Sequence, residues 1–153
     1  GSLRPIIRQN HLEGNRIGLF FCWGVKHGIA ENNRICNNRQ YGISIGHRDT
    51  DNIIRKNRIE KSGEVGVIFR NEPNEGRCPH HNLLEDNQII NSGAIGIDIQ
   101  GETRSVTLRR NQIIETRKPA SHIGLQIGQK VTELTLEKNN FSGLEIETND
   151  LRS

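Results

Sequence analysis

The segment Gly46-His-Arg-Asp-Thr-Asp51 is the densest run of side chains able to take part in chemistry. Its His47 and Asp49, with Arg70 and His81 further along the chain, are the candidate catalytic residues. They are the types that β-elimination from a uronate sugar needs. An Arg neutralises the substrate carboxylate and so acidifies the C5 proton, and a His of near-neutral pKa abstracts that proton. A carboxylate of the same segment would orient the imidazole.

Four further side chains are candidate substrate-binding residues, namely Trp23, Arg48, His80 and Asp98. Trp23 is the sole Trp and offers an apolar ring on which a sugar can stack, although covering an exposed end of the fold is an equally good use for it. Asp98 also forms, with Glu72, the most plausible carboxylate pair for glycoside hydrolysis.

The same residues have structural interpretations that stay open. An Asp-rich segment before Asn52 makes a good turn, and Arg48 can pair with Asp51 or Glu72. The His pair that follows Pro79 can lie exposed in a long loop. Turn formation and surface pairing therefore compete with catalysis as explanations of the cluster.

Metal chemistry has weaker support than either interpretation. Asp49 and Asp51 are oxygen ligands suited to calcium, but no third carboxylate lies near them in the sequence. His47 with His80-His81 supplies zinc-ligand types without the spacing of a zinc motif. The sequence therefore predicts no metal and no cofactor, with calcium as the alternative.

An internal repeat predicts the elements that position these residues. An Asn followed two residues later by a large apolar residue occurs six times, at intervals of 23, 24, 30, 24 and 28 residues. A second motif, Gly-apolar-any-apolar, lies downstream of each Asn and marks a strand with one buried face. The repeated Asn residues are Asn10, Asn33, Asn57, Asn87, Asn111 and Asn139. The Gly motifs begin at Gly18, Gly42, Gly66, Gly96, Gly124 and Gly143.

Two to three short strands per ~24 residues, without helical periodicity, indicate one coil of a solenoid. Each coil is predicted to read strand, Asn corner, short strand, Gly-containing corner, strand. Stacked Asn side chains hydrogen-bond along the axis, and parallel crossovers favour the right hand. The sequence thus predicts an all-β, single-stranded, right-handed parallel β-helix of about six coils.

Stacking of the Gly motifs predicts which side chains line up from coil to coil. One inward column is predicted as Leu19, Ile43, Val67, Ile97, Leu125 and Leu144, and a second as Phe21, Ile45, Phe69, Ile99, Ile127 and Ile146. The outward ladder between them is predicted as Phe20, Ser44, Ile68, Asp98, Gln126 and Glu145. Where the interval between repeat Asn residues exceeds the usual ~24, the additional residues are predicted to form loops at 70–80 and 116–121. This register brings His47, Asp49, Arg70 and His81 within roughly 5–10 Å of one another.

The alternation of Asn-x-Ile and Gly-Ile-x-Ile, from Ile6 to Ile146, resembles the parallel β-helix repeat of pectate-lyase-like proteins. That superfamily includes polysaccharide lyases, glycoside hydrolases, uronate epimerases and non-catalytic carbohydrate-binding or adhesive modules. The resemblance implies a polysaccharide or oligosaccharide partner and an extracellular or periplasmic location. Two hypotheses follow: an enzyme acting at the outward face of coils one to four, and a non-catalytic binding, adhesion or scaffold module.

Composition limits the classes of partner. The 153 residues carry a formal net charge of +3, and no basic stripe with interleaved aromatics argues for nucleic acid. No run approaches the 18 apolar residues of a membrane span.

Cys22, Cys36 and Cys78 lack metal-ligand or CxxC spacing and are predicted to be free thiols. Gly1-Ser2 is interpreted as a cloning scar, and residues 3–153 as one β-helix domain, with a segment of a longer solenoid as the alternative; the oligomeric state stays open.

Overall fold

The chain winds around one axis as a solenoid of six coils. The computed structural model describes residues 1–118 and 122–152, and within them each coil supplies one strand to each of three six-stranded parallel sheets. A single 3-10 turn at Glu75–Arg77 interrupts the strands. Across the described ranges, no helix has the length and apolar character needed to cross a membrane.

The strands are numbered β1 to β18 in chain order and take turns among the sheets. Sheet one contains β1 Ile6–Arg8, β4 Ile29–Glu31, β7 Ile53–Arg55, β10 Leu83–Glu85, β13 Thr107–Arg109 and β16 Thr135–Glu137. Sheet two contains β2 His11–Glu13, β5 Arg34–Cys36, β8 Arg58–Glu60, β11 Gln88–Ile90, β14 Gln112–Ile114 and β17 Asn140–Ser142. Sheet three contains β3 Ile17–Phe20, β6 Tyr41–Ile45, β9 Val65–Phe69, β12 Ile95–Ile99, β15 Ile123–Ile127 and β18 Ile146–Asp150.

The three sheets enclose a thin aliphatic core. The central residue of each short strand and alternate residues of sheet three point inward, and in the middle coils they are fully buried. Each fully buried Ile or Leu contributes about 1.5–3 kcal/mol, so a narrow core is enough when it repeats. At the two ends the core is covered less well, because Leu12, Leu19, Phe141 and Leu144 are only partly buried.

The predicted columns are confirmed in the first five coils and wrong in the sixth. Ile97 pairs with Leu125 as expected, but Leu125 pairs with Thr148 rather than with Leu144. Gly143 explains the difference, because its φ of +75° places it in a turn and strand β18 begins only at Ile146. By the same register, Asn149 and Asp150 replace Glu145 and Ile146 in the other two ladders.

The predicted Asn ladder is confirmed along the whole axis. In each step one Asn donates its backbone N–H and its side-chain amide to the Oδ1 of the Asn in the next coil, at 2.9–3.2 Å. The amide also donates to a carbonyl of the preceding coil, as Asn87 does to Ile54 at 3.0 Å. Asn57, Asn87 and Asn111 are buried. The ladder therefore fulfils the hydrogen-bonding needs of a buried corner.

The predicted Gly-containing corner is present before β3, β9 and β12, at Gly14, Gly63 and Gly93. The Gly of the second motif itself lies within a sheet-three strand rather than in that corner. Gly42 lies inside β6 and Gly66 inside β9. A Cβ on Gly42 would lie 2.5 Å from the Ile59 side chain and 2.6 Å from the Gly66 carbonyl oxygen. Close packing between coils, rather than a turn conformation, is the reason for Gly at this position.

The two predicted insertions fall between the strands. Residues 70–82 connect β9 to β10 and include the 3-10 turn, and Asn82 at their end stacks on Asn52 of the preceding coil. The second insertion lies between β14 and β15, and its residues 119–121 are outside the described residues. The first insertion lies beside the strand ends that carry the candidate residues.

Replacing the central ladder residue tests how far the coils depend on it. Asn87→Ala leaves the buried amide of Asn57 and the Ile54 carbonyl without their partners. Each buried polar group left unsatisfied costs about 1–3 kcal/mol, so we expect the free energy of unfolding in urea to fall by about 2–5 kcal/mol. Gln112→Ala, an exposed change on a neighbouring strand, should stay within about 0.5 kcal/mol of the unchanged protein. Equal losses in the two variants would contradict the role of the ladder.

Candidate functional site

Most candidate residues lie on what we call the front face, meaning the outer side of sheet three and the residues that directly follow its strands. The inward side chains of this sheet are committed to the core, so ligand chemistry must use the outward ones. That outward ladder runs Phe20, Ser44, Ile68, Asp98, Gln126 and Asn149.

Arg70 follows β9, and its side chain reaches back over the front face toward the first coil. Its Nη1 donates to Ser44 Oγ at 2.7 Å and its Nη2 donates to the Phe21 carbonyl oxygen at 3.1 Å. The guanidinium carbon lies 4.8 Å from the centre of the Phe20 ring, within the range of a cation–π contact. These contacts tie three coils together and fix the orientation of the guanidinium.

Asp49 lies inside the corner between sheets three and one and is fully buried. Its Oδ1 accepts the backbone N–H groups of Gly24 and Val25 at 3.1 and 2.8 Å, and its Oδ2 accepts that of Gly46 at 3.0 Å. Arg70 Nη2 lies 3.9 Å from Oδ2. Burial raises the pKa of Asp49, while the N–H donors and the guanidinium act in the opposite direction. Asp49 thus closes a corner between two coils.

His47 packs against Trp23, with ring centroids 4.0 Å apart and an interplanar angle of 46°. Its backbone N–H donates to Glu72 Oε1 at 2.8 Å, and its Nδ1 lies 3.9 Å from Glu72 Oε2. Glu72 Oε1 is also 3.5 Å from Arg70 Nε. The sequence placed Glu72 outside the catalytic set, yet it is the carboxylate beside both the imidazole and the guanidinium. Trp23 is 68% exposed, so most of its ring is accessible to a ligand.

The two histidines of the insertion occupy different environments at the corner that leads into sheet one. His80 is buried, and its Nδ1 accepts the backbone N–H of Arg104 at 3.1 Å. Its Nε2 lies 2.7 Å from the Glu75 carbonyl oxygen, so the neutral Nε2–H tautomer satisfies both contacts. His81 is exposed, with its ring centroid 6.3 Å from that of His80. His80 therefore anchors the insertion to the next coil.

The structure brings three of the four candidate catalytic residues into one network. Arg70 Nη2 lies 3.9 Å from Asp49 Oδ2, and Glu72 links Arg70 to His47. His81 lies exposed at the corresponding corner of the next coil, and among the described residues no hydrogen bond or ion pair joins its side chain to the other three. Arg48, at an exposed turn, donates its backbone N–H to the Arg77 carbonyl oxygen in the 3-10 turn of the insertion.

An open groove of about 460 Å³ occupies the front face further along the axis, at coils three to six. The sequence did not indicate it, because it favoured the first four coils for their charged residues. Amide side chains dominate its wall, with one carboxyl and one ammonium group. It is lined by Asn71, Asp98, Gln100, Gly101, Gln126, Gly128, Gln129, Lys130 and Leu151.

Asp98 forms the buried part of this wall. Its Oδ2 accepts a hydrogen bond from Gln100 Nε2 at 2.9 Å, and the Gln126 side chain bonds it as well. Burial raises the pKa of Asp98, and these amide contacts partly offset the effect. Gln126 Oε1 in turn accepts from Asn149 Nδ2 at 3.1 Å, and Gln100 Oε1 accepts from the Asn71 N–H at 3.3 Å. A chain of hydrogen bonds therefore lines the groove across four coils.

Two of the side chains considered as metal ligands bond to backbone groups in this structure. Both carboxylate oxygens of Asp49 accept backbone N–H groups. Both ring nitrogens of His80 lie against backbone groups, so neither faces a shared zinc position with His47.

Comparison with known proteins agrees with this architecture. A family model described as the right-handed β-helix region matches residues 7–150. The chain belongs to the right-handed β-helix family. That match confirms the predicted fold class and hand. A comparison with curated protein sequences gives no match.

Two solved structures are similar in fold to this β-helix protein. One is the periplasmic alginate epimerase AlgG, as a mutant, with 18% sequence identity, a TM-score of 0.65, and coverage of 98% of this chain and 40% of that one. The other is the A-module of the Azotobacter vinelandii mannuronan C-5 epimerase AlgE4, with 12% identity, a TM-score of 0.60, and coverage of 100% and 59%. The chain therefore spans about half of the length of these two proteins.

The buried carboxyl of Asp98 makes stability depend on pH in a defined direction. A raised pKa in the folded state means that folding favours the protonated form of Asp98. Its contribution to the free energy of unfolding is therefore full below the pKa of the unfolded state and is lost as pH rises through the pKa of the folded state. Asp98→Asn has no carboxyl to ionise, so the variant does not lose this stability at high pH. We expect the variant to gain thermal stability relative to the unchanged protein at pH 7, and the difference to shrink toward pH 3.5. The expectation would be contradicted if the difference in unfolding temperature between the variant and the unchanged protein were less favourable to the variant at pH 7 than at pH 3.5.

Proposed function

We propose that this β-helix binds a polysaccharide along its front face, with the groove at coils three to six as the main binding site. The observation that carries the proposal is the groove itself, an open cleft of about 460 Å³ walled by amide groups, one carboxyl and Lys130. Its volume lies in the range of about 300–1,000 Å³ that is typical of ligand sites. Its length runs across the strands and therefore along the axis of the solenoid.

The lining suits sugar hydroxyl groups. Gln100 and Gln126 lie in successive coils, about 4.8 Å apart. Each already bonds within the wall, so the second N–H of its amide and the second lone pair of its oxygen remain for sugar hydroxyl groups. Asn71 extends the same wall toward coil three. Leu151 supplies an apolar surface beside Lys130 for the non-polar face of a sugar ring.

Charge favours an acidic chain over a neutral one. Lys130 is exposed and can pair with a ligand carboxylate. The Asp98 carboxyl is buried and already bonded to the Gln100 and Gln126 amides, so it presents little charged surface to such a ligand. The two structures of similar fold come from enzymes named for alginate and mannuronan, which supports a polyuronate as the first ligand to test.

The exposed Trp23 ring offers a second contact further along the same face. It packs on His47 in coils one and two, while the groove begins in coil three at Asn71. A chain long enough to reach both would stack a sugar on the Trp23 ring and place others in the groove. Short oligosaccharides would bind in the groove alone.

Catalysis at the first three coils is the second candidate function, favoured by the contact of Glu72 with both His47 and Arg70. In this scheme His47 removes the C5 proton of a uronate, Glu72 orients the imidazole, and Arg70 pairs with the substrate carboxylate and stabilises the enolate that forms. The enolate then either expels the glycosidic oxygen at C4, which takes a proton from solvent, or regains a proton at C5. Asp49 then has a positioning role through Arg70. The scheme requires the guanidinium to exchange its bond with the Phe21 carbonyl for one with substrate, whereas binding in the groove requires no such exchange.

Binding measurements with a polysaccharide panel test the main proposal. We expect calorimetric titration to show binding of a polyuronate such as alginate. Lys130→Gln should weaken binding about tenfold, the loss of one charge-assisted hydrogen bond. Lys56→Gln makes the same change in charge at an exposed corner outside the groove and should leave the affinity unchanged. Absence of binding to every acidic and neutral polymer, or equal effects of the two Lys variants, would refute the groove as the site.

A separate assay tests the catalytic candidate. Incubation with polyuronates in D₂O should produce unsaturated-uronate absorbance or deuterium at C5, with loss of signal in His47→Gln. The groove variant Gln126→Ala should retain chemistry at high substrate concentration while weakening binding. Binding without either signal, across pH and with added calcium, would reject the catalytic candidate and leave the binding proposal standing.

A further inference from the structure

Three different metal-ligand side chains converge on the outer side of sheet two, away from the front face. His11 and Glu13 are the two ends of strand β2, and residues two apart in a strand share one face. Cys36 ends strand β5 in the next coil and is the direct register partner of Glu13. The 23-residue register between these coils thus places a thiol beside an imidazole and a carboxylate.

The separations of the donor atoms match those around a small divalent cation. His11 Nε2 lies 3.3 Å from Cys36 Sγ and 3.1 Å from Glu13 Oε2, and all three donor atoms lie within 4.8 Å of one another. Bonds to tetrahedral zinc are about 2.3 Å for sulfur and about 2.0–2.2 Å for nitrogen and oxygen, which puts neighbouring ligand atoms about 3.3–3.6 Å apart. The third separation, from Cys36 Sγ to the Glu13 carboxylate, lies within 4.8 Å, so a side-chain movement of at most about 1 Å would complete the geometry.

Neighbouring groups orient these ligands. Asn37 Nδ2 donates to Glu13 Oε1 at 3.0 Å, which turns the other oxygen, Oε2, toward His11. Such support of a ligand by a neighbouring hydrogen bond is typical of metal centres. The Cys36 thiol is buried, whereas the His11 and Glu13 side chains are about half exposed, at 52% and 49%, so a cation can enter from solvent.

The next carboxylate in the ladder is already engaged. Glu60, the register partner of Cys36, accepts a hydrogen bond from Arg58 at 2.7 Å. The cluster therefore offers three protein ligands, with a fourth position that faces solvent. Burial and the nearby Glu13 raise the pKa of Cys36, so metal binding must displace the thiol proton.

We propose that His11, Glu13 and Cys36 bind one divalent cation of the zinc class, with water or an exogenous ligand in the fourth position. Sulfur, imidazole and carboxylate together select zinc or cobalt rather than calcium or magnesium, which prefer oxygen ligands. The cation would join the edge strand β2 to β5 and so fasten the first coil, whose core residues Leu12 and Leu19 are only partly buried, to the second. The site is independent of the polysaccharide proposal.

Titration of the untagged, reduced full chain with Co²⁺ tests the site directly. We expect one Co²⁺ per chain, with a thiolate-to-cobalt charge-transfer band and the visible bands of tetrahedral cobalt. Zinc should displace the cobalt mole for mole and raise the temperature of unfolding. Cys36→Ser should abolish the charge-transfer band, and His11→Gln or Glu13→Gln should weaken zinc binding at least about tenfold.

Cys22→Ser is the matched control, because it removes a more accessible thiol and keeps all three proposed ligands. It should leave the cobalt spectrum and the stoichiometry unchanged. Circular dichroism establishes folding of each variant, and the two exposed-residue variants keep the test valid should Cys36→Ser fail to fold. A spectrum without a thiolate band in the unchanged protein, or a band lost in Cys22→Ser but kept in the three ligand variants, would overturn the proposal.

Discussion

Stacking of one coil on the next at fixed register is the constraint on which the rest of this structure depends. The buried Asn at each corner enforces it, because its amide donates to both neighbouring coils while its Oδ1 accepts from the preceding one. A slip of one residue would turn every inward Ile to solvent and bring polar side chains into the core. A thin aliphatic core can therefore stay ordered, since buried hydrogen bonds specify the alignment and apolar burial supplies most of the energy.

That constraint also decides where chemistry can occur. Inward positions are occupied by the core, and corners are occupied by groups that satisfy the backbone, as Asp49 and His80 show. Only the outward positions are left for ligand chemistry, and stacking brings together outward residues that lie about 24 apart in sequence. The front face and the cluster of His11, Glu13 and Cys36 both arise in this way, on different sheets of one solenoid.

The repeat made most of the fold predictable from sequence, because its Asn and aliphatic positions report burial directly. The prediction failed at Gly143, which matches the other five motif glycines in its neighbours but follows its repeat Asn by 4 residues, against 8 to 13 in the other coils. It therefore falls in the corner before β18, with a positive φ, rather than inside the strand. The candidate site was less predictable. Residue type alone cannot show that a carboxylate such as Asp49 faces three N–H groups, or that Glu72 returns from the insertion to meet His47.

Charge compensation differs between the two ends of the front face. In coils one to three Arg70 is held between Glu72 and Asp49, so the charges there largely cancel and a ligand must compete with existing contacts. Around coils four and five the groups are neutral amides, a carboxyl whose pKa is raised by burial, and the exposed Lys130. On the polysaccharide proposal, an anionic chain entering that region would displace no ion pair. The lower desolvation cost would then bring an acidic polymer first to the groove, and only afterwards along the axis toward Trp23 and His47.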